Sequence, residues 1–162
     1  MNEVNRRSLL GVGALLGFGA LVGCGGEARA QGNFPFRLSD AQWRQRLGNG
    51  EAYRVLRRQA TERPGSSPLN REGRRGTYHC AGCGHRLFAS TTKFESGTGW
   101  PSFWRPLPGA VGTSTDRLLG VARTEVHCAN CGGHLGHVFE DGPRPTGLRY
   151  CMNGIAMTFR AA

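Results

Sequence analysis

The stretch LGVARTEVHCANCGGHLGHVF, residues 119–139, sets the architecture. Leu119–His127 and His134–Phe139 are segments of strand length, and between them Cys128-Ala129-Asn130-Cys131 runs into Gly132 and Gly133. Two thiols at C-x-x-C spacing on a tight turn can both reach one ion, and glycine lets the backbone curl around it. The same signature stands upstream, where Gly76–Cys80 leads into Cys80-Ala81-Gly82-Cys83, then Gly84, then Arg86–Ala89. Cys80, Cys83, Cys128 and Cys131 together predict a tetrahedral four-thiolate site for one structural zinc ion, with Zn–S near ~2.3 Å. The 44 residues between the pairs (84–127) exceed a simple zinc ribbon, so the ion would staple two β-hairpins across the domain. A closed four-thiolate site has no open coordination position, and it therefore stabilises rather than catalyses. A pair of disulfides is the alternative in an oxidising compartment. Redox C-x-x-C chemistry is a further one, but no thioredoxin-like βαβ pattern surrounds either pair.

Outward from these hairpins, Leu148–Asn153 and Ile155–Arg160 are further short segments set between Gly and Pro, the mark of a small, mainly β, antiparallel domain of sandwich or barrel type. Helices are expected only at the N-terminal side. Ser39-Asp40-Ala41-Gln42 reads as a capping box, with Trp43 and Leu47 on one face and Gly48 as the stop. A second helix is predicted over Glu51–Gln59, with Tyr53, Val55 and Leu56 apolar, and Pro64–Arg75 as an exposed loop. The chain of 162 residues is one-domain size, and 26 glycines with 38% hydrophobic residues exclude a helix bundle. Its formal charge of +10 suggests nucleic acid, an anionic membrane or an acidic partner. Lys93 is the only lysine, and so uniform an arginine bias fits a coding preference as well as it fits selection for binding.

Residues 1–30 read as an address rather than as fold. Arg6-Arg7 precedes an uncharged apolar run, Leu9 to Gly23, in a pattern that resembles a Tat-type export signal. That run is short of the ~20 residues needed to span a bilayer. Two cleavages are open: Leu21-Val22-Gly23-Cys24 resembles a lipobox, with Cys24 as a lipid anchor, and Ala28-Arg29-Ala30 would release a chain starting at Gln31; an uncleaved N-terminal anchor is the alternative to both. Residues 31–38 then form a linker to a domain over 39–160. The expected location is exported: the periplasm or the outer face of a bacterial membrane.

Four cysteines for metal and one for the address leave Cys151, in Arg149-Tyr150-Cys151-Met152-Asn153. Alone it would read as a buried, inert thiol. It shares the chain, however, with the paired imidazoles of His134-Leu135-Gly136-His137 and the aromatic loop Gly97-Thr98-Gly99-Trp100-Pro101-Ser102-Phe103. Arg149, two residues from Cys151 on a strand, shares its face and is positioned to lower its pKa.

The motifs GWPSF (99–103), GGHLGHVF (132–139) and PTGLRYCMN (145–153), with both C-x-x-C pairs, resemble the B-type methionine-(R)-sulfoxide reductases over about residues 39–160. The resemblance implies two antiparallel sheets, a structural zinc ion, and thiol-dependent reduction of methionine (R)-sulfoxide, free or in oxidised proteins, as protein repair under oxidative stress. It implies that Cys151 attacks the sulfoxide sulfur, that His134 and His137 polarise the substrate and protonate the leaving oxygen, and that Asn153 orients the site. Trp100 would pack on the substrate methyl group, Phe139 would shape the pocket wall, and Arg149 would complete the substrate-binding set. For both histidines to face inward from one strand, a bend at Gly136 is needed, because residues three apart alternate. Without the resemblance, Trp100 and Phe139 would read as core aromatics, the histidines as structural, and Asn153 as a turn cap.

Many relatives carry a second redox cysteine before GWPSF, where this chain has Thr98. The resemblance therefore implies an external thiol reductant, thioredoxin-like or other, acting directly on Cys151. Gly154-Ile155 is a second departure. A monomer is expected, with no nucleic acid bound. Two other readings stand beside this one: a zinc-ribbon-like basic binding module without catalysis, and an inactive scaffold descended from an enzyme.

Overall fold

The computed structural model describes residues 32–48, 50–117 and 120–162. The export signal, Cys24, Leu118 and Leu119 lie outside the described residues. Helix α1 (Asp40–Leu47) starts at the predicted box: Ser39 N–H donates to Gln42 Oε1 at 2.8 Å, and Gln42 N–H to Ser39 Oγ at 3.3 Å. Helix α2 (Glu51–Arg58) ends on Gln59 in the left-handed region and buries Tyr53, Val55 and Leu56. The expected loop over 64–75 contains one turn of 3-10 helix, Pro68–Arg71.

Among the described residues nine strands follow: β1 (Gly76–Cys80), β2 (Arg86–Ala89), β3 (Lys93–Phe94), β4 (Ser102–Phe103), β5 (Val111–Asp116), β6 (Arg123–Cys128), β7 (His134–Phe139), β8 (Arg149–Met152) and β9 (Met157–Ala161). They form two antiparallel sheets, β2-β1-β9 and β3-β4-β8-β7-β6-β5, as expected. The sheets meet over an aromatic seam. Phe88 of β2 stacks on Phe103 of β4 with centroids 4.3 Å apart, and Tyr78 of β1 meets the same ring edge-on at 4.9 Å. Such pairs add about 0.5–1.5 kcal/mol each beyond area burial.

Three strands depart from the sequence reading. β3 and β4 have two residues each, too short to show a period. β5 is an edge strand of Gly, Ser and Thr with mostly half-exposed positions, so it carries no apolar alternation. The stretch read as a linker is not a free spacer over 32–38: Phe36 N–H donates to Asn130 O at 2.8 Å, and the Phe34 ring meets His127 edge-on, centroids 5.6 Å apart. These aromatics cover the second cysteine turn because Gly132 has no side chain; a Cβ there would lie 2.2 Å from the Phe34 ring.

Candidate active site

The two cysteine turns are near copies. Gly84 N–H donates to Cys80 O at 2.8 Å and Gly132 N–H to Cys128 O at 2.8 Å, with both glycines at positive φ. The four Sγ atoms lie within 4.8 Å of one another, Cys80 to Cys131 at 3.7 Å and Cys83 to Cys128 at 3.6 Å. A tetrahedron with metal–sulfur bonds of ~2.3 Å has edges of about 3.8 Å, so the thiols fit a structural zinc site. The crowding splits their proton affinities: S–H donors hold Cys83 and Cys128 down, while Cys80 and Cys131 are pushed up. A divalent cation is what allows four thiolates in one place. The ion would join the end of β1 in one sheet to the end of β6 in the other.

The second centre is one face of the six-stranded sheet. Residues directly opposite in antiparallel strands share a face, and Cys151 of β8 lies opposite His137 of β7 on one side and Ser102 of β4 on the other. Phe139 lies opposite Arg149, and Glu125 of β6 lies opposite His137. The β6–β7 register slips between Val126 and His127, which leaves Leu135 as an extra residue beside Gly136. That bulge brings His134 and His137 to one side, ring centroids 5.4 Å apart, near the bend the sequence required. Gly136 is fixed by close approach: a Cβ there would lie 2.1 Å from Cys151 O.

A pocket of about 120 Å³ is lined by Thr61, Trp100, Arg123, Gly136, His137, Phe139, Cys151 and Asn153. Drug-sized ligands occupy roughly 300–1,000 Å³, so this pocket takes the end of a side chain. Trp100 is held by its Nε1–H, which donates to Glu62 O at 3.2 Å. Asn153 is bonded at both ends, with Nδ2 donating to Leu135 O at 3.0 Å and Oδ1 accepting Glu62 N–H at 2.9 Å; it makes no side-chain cap of the turn that follows.

Two expected residues stand outside the lining. His134 is 2% exposed, behind His137; its Nδ1 is 2.8 Å from Glu125 Oε1 and its Nε2 is buried with no partner. Arg149 forms a two-bond ion pair with Asp141, both contacts 2.8 Å, and lies 4.5 Å above the Phe139 ring, so it braces the pocket wall. The thiol of Cys151 also departs from expectation. Burial pushes its pKa up from 9.0, outweighing the Thr98 hydroxyl and the Arg149 charge, which pull it down. Thr98 Oγ1 is 3.8 Å from Cys151 Sγ and 2.8 Å from Ser96 Oγ, which in turn is 2.7 Å from Ser102 Oγ.

Three acids were missed from sequence. Glu62, 3% exposed, accepts Gly154 N–H at 2.5 Å and Ile155 N–H at 2.9 Å while bracing Trp100 and Asn153 through its own peptide groups. Burial raises its pKa despite those two donors. The departure at Gly154 is explained in the same place: a Cβ there would lie 2.0 Å from Ser67 Oγ. Glu125 anchors His134, and Asp116 Oδ2 is 2.8 Å from His137 Nε2. An acid between Thr124 and Val126 in a predicted strand was the only available signal for Glu125; Glu62 and Asp116 had none.

The SelR domain matches residues 49–161. Among similar proteins, a peptide methionine sulfoxide reductase MsrB of Agrobacterium fabrum is 55% identical over 122 residues, 75% of this chain and 90% of the relative. MsrB of Leptospira interrogans is 50% identical over 129 residues, covering 79% and 98% of the two chains, and that of Leifsonia xyli is 53% identical over 132, covering 80% and 94%. Matched by that domain over most of its length and by relatives at 50–55% identity, the chain belongs to the SelR-domain family of B-type methionine-(R)-sulfoxide reductases.

Proposed function

We propose that this protein reduces methionine (R)-sulfoxide to methionine through a Cys151 sulfenic acid, and that an external thiol then regenerates the enzyme. The observation that carries this is the position of Cys151 in a side-chain-sized pocket with Trp100, Phe139 and His137. The Cys151 sulfur attacks the sulfoxide sulfur, oxygen passes from substrate to Cys151, and the departing thioether is methionine. The substrate sulfur gains two electrons and Cys151 loses two. His137 supplies a proton to the oxygen and His134 supports it from behind, while Trp100 and Phe139 enclose the methyl group. One external thiol condenses with the sulfenic acid, releasing water, and a second displaces it as a disulfide.

Cys80, Cys83, Cys128 and Cys131 hold the structural zinc in this reading, which leaves no partner thiol for Cys151 among the described residues. The test is a single turnover without reductant. One methionine per chain is expected, with Cys151 heavier by one oxygen in the intact mass. Thr98→Cys, placing sulfur where Oγ1 now sits 3.8 Å from Cys151 Sγ, is expected to yield an internal disulfide instead. A disulfide in the parent, or no oxygen gain on Cys151, would overturn the reading.

Glu62→Ala tests the frame. Loss of the carboxylate frees the Gly154–Ile155 turn and shifts Asn153. A misplacement of about 1 Å is expected to cost ~10²-fold in kcat/KM, with Glu62→Gln between the parent and Glu62→Ala, read beside Tm.

The twin arginine supports action outside the cytoplasm, as repair of oxidised exported proteins. Among the described residues no helix is long and apolar enough to cross a membrane. Intact mass of the mature chain separates an acylated Cys24 from a Gln31 terminus.

A further inference from the structure

We propose that Asp116, on the edge strand β5, and Arg123, on its neighbour β6, are positioning residues that fix the tautomer of His137 and keep its ring neutral in the resting site. This rests on the functional reading above and concerns the same pocket. Asp116 Oδ2 receives two contacts at once, Arg123 Nη2 at 2.6 Å and His137 Nε2 at 2.8 Å. The acid and the imidazole are nearly enclosed, with side-chain exposures of 6% and 10%. Asp116 and Arg123 are also direct register partners, so the pair is held by the β5–β6 ladder rather than by loops.

A carboxylate beside a guanidinium is an acceptor, because the guanidinium keeps its charge throughout. His137 must then carry its proton on Nε2. That leaves Nδ1 as the ring nitrogen for a ligand in the pocket. His134 is anchored the opposite way, through Nδ1 to Glu125. The two imidazoles therefore use different nitrogens, a choice made by carboxylates on neighbouring strands.

Charge follows from the same geometry. The groups facing His137 are Asp116 from β5, Arg123 and Glu125 from β6, His134 on its own strand and Cys151 from β8. Glu125 is engaged by His134, Gln59 and Ser114. On Asp116 the guanidinium and the imidazole share one oxygen, so the cation offsets the acid's pull on the ring proton. Burial then holds the His137 pKa below 6.5, with Arg123 and His134 acting the same way and Asp116 opposing. A neutral ring with a fixed Nε2–H takes the Cys151 thiol proton on its free Nδ1 and passes it to the sulfoxide oxygen as the sulfur attacks.

The test is nitrogen-15 imidazole NMR of the zinc-loaded protein, read with pH–rate profiles. The parent is expected to show His137 protonated on Nε2 with a midpoint below 6.5. Arg123→Met should raise that midpoint by about one pH unit, since the guanidinium would no longer offset Asp116. The acid limb of kcat should move with it, and Arg123→Lys should restore both. Asp116→Asn should lose the fixed tautomer and cost ~10–100-fold in kcat, the range typical of residues that orient a functional histidine. A His137 midpoint and profile unmoved by Arg123→Met overturn the proposal, as does an Nδ1–H tautomer in the parent. If Asp116→Asn does not fold, the methionine and lysine variants at 123 decide alone. A parent that reduces no sulfoxide sinks the functional reading and leaves the His137 measurement standing.

Discussion

Cys151→Ser is expected to abolish turnover of an R-sulfoxide, by at least ~10³-fold, while the fold and the zinc content stay unchanged. Removing a nucleophile typically has effects of this size or larger. The substitution is nearly isosteric and leaves the pairing of β8 with β4 and β7 intact. A serine hydroxyl cannot accept oxygen from the substrate, so no sulfenic acid forms and the pocket becomes a binding site only. Substrate affinity should survive, because Trp100, Phe139 and His137 still line it. The measurement is steady-state reduction of both sulfoxide epimers with dithiothreitol. Activity equal to the parent would remove Cys151 from the mechanism. The thiol should also show its burial. With its pKa pushed above 9.0, the neutral thiol dominates at pH 7. Alkylation of Cys151 in the parent should therefore be slow at neutral pH and rise about tenfold per unit toward the pKa. An inactive scaffold and a basic binding module both predict that the serine change does nothing measurable.

How far the sequence could be read depended on whether a residue's partner was near it in the chain. The capping box at Ser39 and Gln42, the glycine stop at Gly48 and the two cysteine turns are local chemistry, and the structure reproduces them. The need for a bend between His134 and His137 could also be deduced, because alternation is a local rule; the bulge at Leu135 meets it. Family motifs pointed to Cys151, Trp100, His137, Phe139 and Asn153, and the fold brings these five to the lining of one pocket.

What could not be read is long-range. Glu62 acts on residues 91 and 92 positions away, through backbone donors that no side-chain pattern announces. Asp116 sits at the end of an edge strand without apolar alternation, so neither the strand nor its meeting with His137 was visible. Arg149 was assigned by a local rule, two residues along a strand, and that rule gave the face correctly. It did not give Asp141, whose carboxylate draws the guanidinium to the rim. The pKa of Cys151 failed for a related reason: proximity to a cation is legible in sequence, whereas the desolvation that outweighs it belongs to the packed fold.

Cys128→Ser is expected to remove most or all of the net stability, and stripping zinc from the parent with a strong chelator should do the same. Cys128 is fully buried at the end of β6, and Cys80, 1% exposed, ends β1 in the other sheet. The metal is thus a cross-link between sheets that otherwise meet through the aromatic seam of Phe88, Phe103 and Tyr78. Structural zinc contributes roughly 10–16 kcal/mol in small domains. Net stabilities are only ~5–15 kcal/mol. Losing one of four ligands also strands three crowded thiols with no cation to balance them, and burial penalises any that ionise. The expected result is loss of near-ultraviolet dichroism and of cooperative melting at 25 °C, together with loss of stoichiometric zinc. Activity should vanish with the fold, because His134, the first residue of β7, follows the metal ligand Cys131 by only three positions. Cys151→Ser is the matched control: it should melt like the parent and hold its zinc. A Cys128→Ser protein with the parent's Tm and a full zinc complement would show that the sheets need no metal to stay together.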